Sequence, residues 1–429
     1  MFVLYNLLIT LLSPLWAPWM WLRTRARKEA PNWGERFGNY DLAPRKDRKR
    51  IWVHAVSVGE VVACMPILRE LRGELPDHEI VLSVTTSSGH QTARDKAAGL
   101  YDHLLYFPID LARFELAAMQ HVQPSVAAVM ETELWMNFLW AAKVFDVRTL
   151  LINGRISDRS FRRSRRVAFF YKALLSRMDR CLMQSEKDAE RIRALGASGV
   201  EVLGNCKFDQ ALAGLDADPA EWRAKLGLSP DLPTLVIGST RGEMEEKFVF
   251  DALSLLGLDS AAPIPASPSL QVVHAPRHVE RAADLVSEAK HRFGDAALRS
   301  EGKPSRYLVL DTYGELDKVY SVADVVIVGG GFDNLGGQNL VQPLAHGKPV
   351  LHGPHMQNFR EVAAASVDAG ASLVCATPAD LASRLKELLA DPTLRAQMGA
   401  AASQLVRSNA GASRRYAQAI AAEAKAFKP

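Results

Sequence analysis

The chain predicts an α/β protein of two Rossmann-like domains behind an N-terminal membrane anchor, and three observations carry that prediction. Strand-like apolar runs alternate with helix-length segments in two series, a polar, Pro-containing stretch separates them, and the first 22 residues carry no charge. At 429 residues the chain exceeds one ordinary domain. Apolar residues at 48% and charged residues at 23% are ordinary globular values, which excludes a disordered chain and a polytopic membrane protein.

Met1 to Leu22 is rich in Leu and Trp and about long enough to cross a bilayer core. Arg23, Arg25, Arg27 and Lys28 follow it, the reverse of the order in a cleavable signal peptide. The expectation is a single uncleaved anchor in the inner (cytoplasmic) membrane, with the remaining chain on the cytoplasmic side by the positive-inside rule. Pro14 and Pro18, with Trp16, Trp19 and Trp21, leave open a segment that lies in the interface. Because both strand series lie beyond Arg23, the folded core is expected to be independent of this segment. Further basic runs at Arg45 to Arg50 and Arg155 to Arg166 suit anionic lipid head groups or nucleic acid, or are solvated loops; net charge is only +4.

The first strand series comprises Ile51 to Ala55, Ile80 to Thr85, Ser125 to Met130, Thr149 to Asn153 and Arg180 to Gln184. The second comprises Thr234 to Ile237, Gln271 to His274, Tyr307 to Leu310, Asp324 to Val328 and Pro349 to His352. Buried runs alternating with helices predict parallel sheets with helices on both faces. The resulting boundaries are an anchor at 1–22, a first Rossmann-like domain at 23–212, a linker at 213–233 and a second Rossmann-like domain at 234–429 with its C-terminal helix. The alanine-rich end from Ala376 covers the second sheet or reaches back to the first. Asp216-Ala217-Asp218 in the linker resembles a metal-binding D-x-D, but Asp218-Pro219-Ala220-Glu221 reads as a helix N-cap. The scattered Cys64, Cys181, Cys206 and Cys375 support neither a zinc site nor a disulfide framework.

Candidate chemistry sits where strands end, the edge at which open α/β sheets bind ligands. Glu60, in His54-Ala55-Val56-Ser57-Val58-Gly59-Glu60, falls in the first turn of a helix whose dipole favours an ionised carboxylate, suiting a general base. Ser57-x-x-Glu60 is equally a capping box. Met130-Glu131-Thr132-Glu133 places two carboxylates after another strand, where one can cap the next helix. Lys207 follows the strand Val200 to Leu203 and is by default a solvated lysine. In the second domain Gly238-Ser239-Thr240-Arg241-Gly242-Glu243 and His274-Ala275-Pro276-Arg277-His278 carry donors suited to phosphate or base. The stretch Gly329 to Asn339 runs from a strand through glycines towards a helix at Leu340 to His346, an arrangement that holds phosphate or merely turns the chain.

The ordered set E-R-F-G, H-x-V-S-V-G-E, M-E-T-E-L-W, N-x-R-x-S, L-G-N-x-K-F-D, G-S-T-x-x-G-E, P-R-H, G-E-L, G-G-x-N and G-P-H-x-x-N-F resembles the 3-deoxy-D-manno-octulosonic acid (Kdo) transferases across nearly the whole chain after the anchor. The resemblance implies a monotopic GT-B-type enzyme of lipopolysaccharide synthesis. It would move Kdo from CMP-Kdo to a lipid A precursor with inversion and without metal or cofactor, its partners being inner membrane lipids and no nucleic acid. It implies Glu60 as general base and Glu131 and Lys207 as transition-state stabilisers. It also implies CMP contacts from Pro276, Arg277, Tyr313, Gly314, Glu315, Asn339, Leu340, Val341 and Gln342, beside the candidate phosphate donors Ser239 and Arg241. The family's H-N-x-L-E-P reads Gln338-Asn339-Leu340-Val341-Gln342-Pro343, so an amide stands where a carboxylate is expected at the ribose, and Tyr313 stands where Met is frequent. Another GT-B enzyme using a UDP-sugar, or a non-catalytic membrane-bound nucleotide sensor, are the alternatives.

Overall fold

The computed structural model describes residues 1–26, 32–45, 47, 49–257 and 270–427. Arg27 and Lys28 of the first basic run, and Lys46 and Arg48 of the second, lie outside them. The described chain divides into two compact units, Met1–Gln210 with Ala410–Pro429, and Ala211–Asn409.

The first unit holds a parallel sheet of β1 (Arg50–His54), β2 (Glu79–Val84), β3 (His103–Tyr106), β4 (Val126–Met130), β5 (Arg148–Gly154), β6 (Arg180–Met183) and β7 (Val200–Val202), in the order β3-β2-β1-β4-β5-β6-β7. Strand order reverses between β1 and β4. Every residue of β1 and β4 is buried, because helices cover both faces; this is why their sequences are continuous apolar runs rather than alternating ones. The four-residue β3 was too short to stand out in the sequence.

The second unit repeats the plan with β8 (Thr234–Thr240), β9 (Gln271–Pro276), β10 (Ala296–Leu298), β11 (Tyr307–Val309), β12 (Val325–Val328), β13 (Val350–His352) and β14 (Ser372–Val374), in the order β10-β11-β9-β8-β12-β13-β14. Its reversal falls between β8 and β12. The three-residue edge strands β10 and β14 escape period-based reading for the same reason as β3. Between the two series, Asp218 accepts from the Ala220 N–H at 2.9 Å and caps the helix Pro219–Leu226, as the capping sequence requires.

The C-terminal helix Ala412–Ala426 reaches back to the first unit and packs on the helix Val58–Glu74. Asp209 accepts from the backbone N–H groups of Gly411 and Ser413, and the Tyr416 hydroxyl donates to the Gly204 carbonyl at 2.7 Å. Much of the motif Gly204 to Asp209 is therefore a socket for this helix.

The N-terminal segment is one helix, Phe2–Ala26. Among the described residues no helix is long and apolar enough to cross a membrane. The helix is docked on the first unit. The Tyr5 hydroxyl donates to Asp110 at 2.6 Å, the Asn6 amide donates to Asn137 at 2.7 Å, and Phe2 stacks on Trp140. Its other face exposes Leu4, Leu7, Leu8, Leu11, Leu12 and Leu15. The helix thus has a docked, partly polar face and an apolar outer one.

Candidate active site

In the first unit the site is built at the reversal point of the sheet. β1 ends at His54, and the chain passes through Ala55 and Val56 into the helix Val58–Glu74, with Ser57 as N-cap. Glu60 folds back so that its carboxylate accepts from the Val56 N–H at 2.9 Å and the Ser57 hydroxyl at 3.2 Å. The capping box forms only in part: Ser57 donates to the carboxylate and caps no backbone N–H. Nor does the helix dipole prevail. Burial, followed by repulsion from Glu131 and Glu133, outweighs the hydrogen bonds and raises the Glu60 pKa to about 7. A carboxylate titrating there accepts a proton more strongly than a fully ionised one, which suits a base working near neutrality.

β4 delivers the second element. Glu131 follows it in the left-handed region at φ 54°, a conformation sparsely populated for a residue with a side chain. Lys207, at the start of the helix Lys207–Ala213, brings its ammonium to 3.8 Å from the Glu131 carboxylate. Glu133 accepts from the Trp135 indole at 3.1 Å, and burial raises its pKa. Capping of the following helix, one reading of these carboxylates, falls instead to Asp110, which accepts from the Asn137 and Phe138 N–H groups. The structure thus brings Glu60, Glu131, Glu133 and Lys207 together.

Asn153 was given no role in the sequence, although N-x-R-x-S stood out. It sits at φ 50°, where the register of β5 against β6 shifts between Leu151 and Gly154, and its side-chain oxygen accepts from the buried Cys206 N–H at 3.2 Å. That bond fixes the residue next to Lys207.

In the second unit the candidate residues line the carboxyl ends of β8, β9, β11 and β12. Ser239 lies at φ 61° on a second register shift, between Gly238 and Thr240. The Arg277 N–H donates to the Thr240 carbonyl at 2.8 Å, tying the Pro276-Arg277 turn to the Ser239-Arg241 loop. Both Arg241 and Arg277 are exposed. Tyr313 is 75% exposed, with Gly314 beside it, and Glu315 is held by the Thr312 hydroxyl and lies 3.5 Å from Arg299. Leu340 and Val341 are fully buried, so only their backbone can face a ligand. Asn339 caps the Val341 N–H at 3.0 Å, and Gln342 is half-buried on the short helix Val341–Ala345.

The glycine run differs from a free phosphate cradle. Glu245, buried on the helix Glu243–Leu255, accepts from Arg241 N–H at 2.7 Å, Gly330 N–H at 2.6 Å and Phe332 N–H at 3.0 Å. A carboxylate of the protein has already satisfied part of the donor set expected to meet phosphate. Gly329 is required for space: a Cβ there would lie 2.6 Å from the Thr240 Cα, so the ends of β8 and β12 could not approach. Among the described residues no group of three or more His, Cys, Asp or Glu is arranged to hold a metal.

Residues 31–210 match the family model described as 3-deoxy-D-manno-octulosonic-acid transferase (kdotransferase). The chain is 33% identical to the 3-deoxy-D-manno-octulosonic acid transferase of Bordetella pertussis, over 97% of this chain and 98% of that one. It is 28% identical to the enzyme of the same name from Haemophilus influenzae, over 89% and 88% of the two chains. A glycosyltransferase structure from Rickettsia africae shares the fold at a TM-score of 0.59 and 10% identity, covering 91% of this chain and 100% of that one. With a relative matching end to end at this identity, and the carboxylates and lysine gathered at one sheet edge, the chain belongs to the 3-deoxy-D-manno-octulosonic acid transferase family.

Proposed function

We propose that this Kdo transferase moves Kdo from CMP-Kdo to a lipid A precursor with inversion, Glu60 acting as the general base. The observation that carries the reading is the Glu60 carboxylate, poised near pH 7 beside Glu131 and Lys207. Glu60 takes the proton from an acceptor hydroxyl as its oxygen attacks the anomeric carbon of Kdo. The bond from that carbon to the CMP phosphate oxygen breaks, and CMP leaves with the electron pair. A single displacement of this kind inverts the centre. Lys207, held against Glu131, offers positive charge to the anion that develops. In the second unit, Ser239, Arg241, Pro276 and Arg277 are assigned to the nucleotide phosphate and base. Tyr313 to Glu315 and Asn339 to Gln342 are assigned to the remainder of CMP.

The proposed location is the cytoplasmic face of the inner membrane, with the helix Phe2–Ala26 lying in the interface. Its exposed leucines suit this, as does the helix Asp158–Arg165, whose Arg159, Arg162, Arg163 and Arg165 are exposed close to exposed Phe169. The two regions adjoin, since the Tyr5 and Phe170 rings are 5.9 Å apart. The Arg45 to Arg50 run fits membrane contact poorly: Arg50 is buried against Glu79 at 2.6 Å, and Arg45 pairs with Asp47 and Glu79.

Incubating the purified protein with CMP-Kdo and a lipid A precursor, and weighing the product, tests the reaction. The wild type is expected to add Kdo, and Glu60→Gln to lose at least about a hundredfold in turnover while retaining CMP binding by calorimetry. Turnover of a UDP-sugar instead, or full activity of Glu60→Gln, overturns the assignment.

A further inference from the structure

The N-terminal helix and the body of the first unit border an open cavity of about 970 Å³. Its walls are largely aromatic: Phe2 and Trp16 from the helix face Trp33, Phe37, Phe114 and Trp140. A second cavity, of about 330 Å³, shares Trp16, Ile109 and Leu111 with the first and extends to Trp135. The Trp135 indole donates to Glu133, one of the carboxylates beside Glu60. The two cavities therefore adjoin beneath a helix with an exposed leucine face and form a largely apolar passage that reaches Trp135, the residue that holds Glu133.

The geometry points to this passage as the binding site for one fatty acyl chain of the lipid acceptor, with the chain beneath the helix and the sugar end at the carboxylates. This rests on the reading of the protein as a transferase to a lipid acceptor. Three observations choose this occupant. The volume lies in the range of pockets that enclose small apolar ligands, roughly 300–1,000 Å³. The second cavity reaches Trp135, whose indole holds Glu133, so a chain lying beneath the helix has its head group on the side of the carboxylates. A cation stands on the head-group side for an anionic group: Arg36 lines the second cavity, as Trp135 does. The hydrogen bonds of Tyr5 and Asn6 hold the helix as a fixed wall.

The probe is tetradecanoic acid brominated near mid-chain, added to the full-length protein below its micellar concentration, with tryptophan fluorescence as the readout. Bromine seated beside Trp16, Trp33 and Trp140 quenches them, and saturable quenching is expected. Each methylene removed from the probe is expected to weaken binding roughly fourfold, the affinity equivalent of one buried CH₂. Ala112→Phe and Thr10→Phe fill the first cavity from opposite walls, and each should weaken quenching at least about tenfold on that same scale. Having both variants keeps the test decisive if one fails to fold. The acylated acceptor should displace the probe, whereas phosphatidylethanolamine vesicles should not. Unchanged quenching in both variants places the chain on the outer leucine face, and displacement by phosphatidylethanolamine makes the passage a general lipid contact; either overturns the inference. Displacement by acceptor without Kdo transfer would instead count against the proposed reaction, and transfer without displacement against the acyl site alone.

Discussion

The Lys207 ammonium lies 3.8 Å from the Glu131 carboxylate, and neither residue belongs to a regular strand. Their meeting depends on Asn153, whose side-chain oxygen holds the Cys206 N–H. Asn153 sits at positive φ, which glycine adopts freely and alanine does not. Asn153→Gly removes the buried side chain and its hydrogen bond without straining the backbone, and is expected to cost about 1–3 kcal/mol, the range for a buried group left unpaired. Asn153→Ala removes the same bond and adds backbone strain, so it should melt below the glycine variant, the reverse of the usual order. Both should lower turnover more than CMP affinity, since Lys207 loses its support. Thermal melts and steady-state kinetics check this.

With Glu60 as the proposed base, its ionisation sets the expected pH dependence. Its folded pKa of about 7 lies above the ordinary carboxylate value, so ionisation opposes folding. The stability it contributes is complete below the ordinary value and is lost as pH rises through about 7. Turnover runs the other way, because the base must be ionised, and should climb through that same region. Burial is the larger cause of the shift, with repulsion from Glu131 and Glu133 behind it. Glu133→Gln is therefore expected to move the acid limb of the rate profile to lower pH without removing it. An unmoved limb would mean that the limb belongs to another group.

The paired series of strands was legible because buried parallel strands are written as uninterrupted apolar runs, and Glu60 and Glu131 stood out as carboxylates at their ends, whereas Lys207 reads as a solvated lysine and is singled out only by the family resemblance. Asn153 and Glu245 did not stand out, for a physical reason: each acts on backbone N–H groups distant in sequence, Glu245 on Gly330 and Phe332. Only the fold brings those donors near. The docking of the N-terminal helix was not legible, because Tyr5 and Asn6 have no partner nearby in the sequence. In the structure they are its attachment points to Asp110 and Asn137.

Glu245 gives a test confined to the second unit. Its two oxygens serve three backbone donors. In Glu245→Gln one of those oxygens becomes an amide NH₂, which faces N–H groups and cannot accept from them. A loss of about 1–3 kcal/mol in stability is expected, together with weaker CMP binding, because the Ser239-Arg241 loop and the glycine run are no longer held to one point. Melting temperature and CMP calorimetry read the two effects. Unchanged CMP affinity would separate the glycine run from the nucleotide.

Gln342 is where the resemblance read in the sequence implies a carboxylate. It is half-buried on the short helix Val341–Ala345, one position beyond the N–H that Asn339 caps. If its amide meets the ribose, Gln342→Glu replaces a neutral acceptor with a charged one, and hydrogen bonds to charged groups are worth up to about twice neutral ones. Tighter CMP binding by on the order of 1 kcal/mol is expected. Repulsion between the new carboxylate and the CMP phosphate opposes the gain, but it falls with distance, and the ribose hydroxyls are the part of the nucleotide turned from the phosphate. Calorimetry of CMP binding to both forms decides. Equal affinities would mean that Gln342 does not touch the nucleotide, and a marked loss in the Glu variant would mean that the pocket is shaped around the amide.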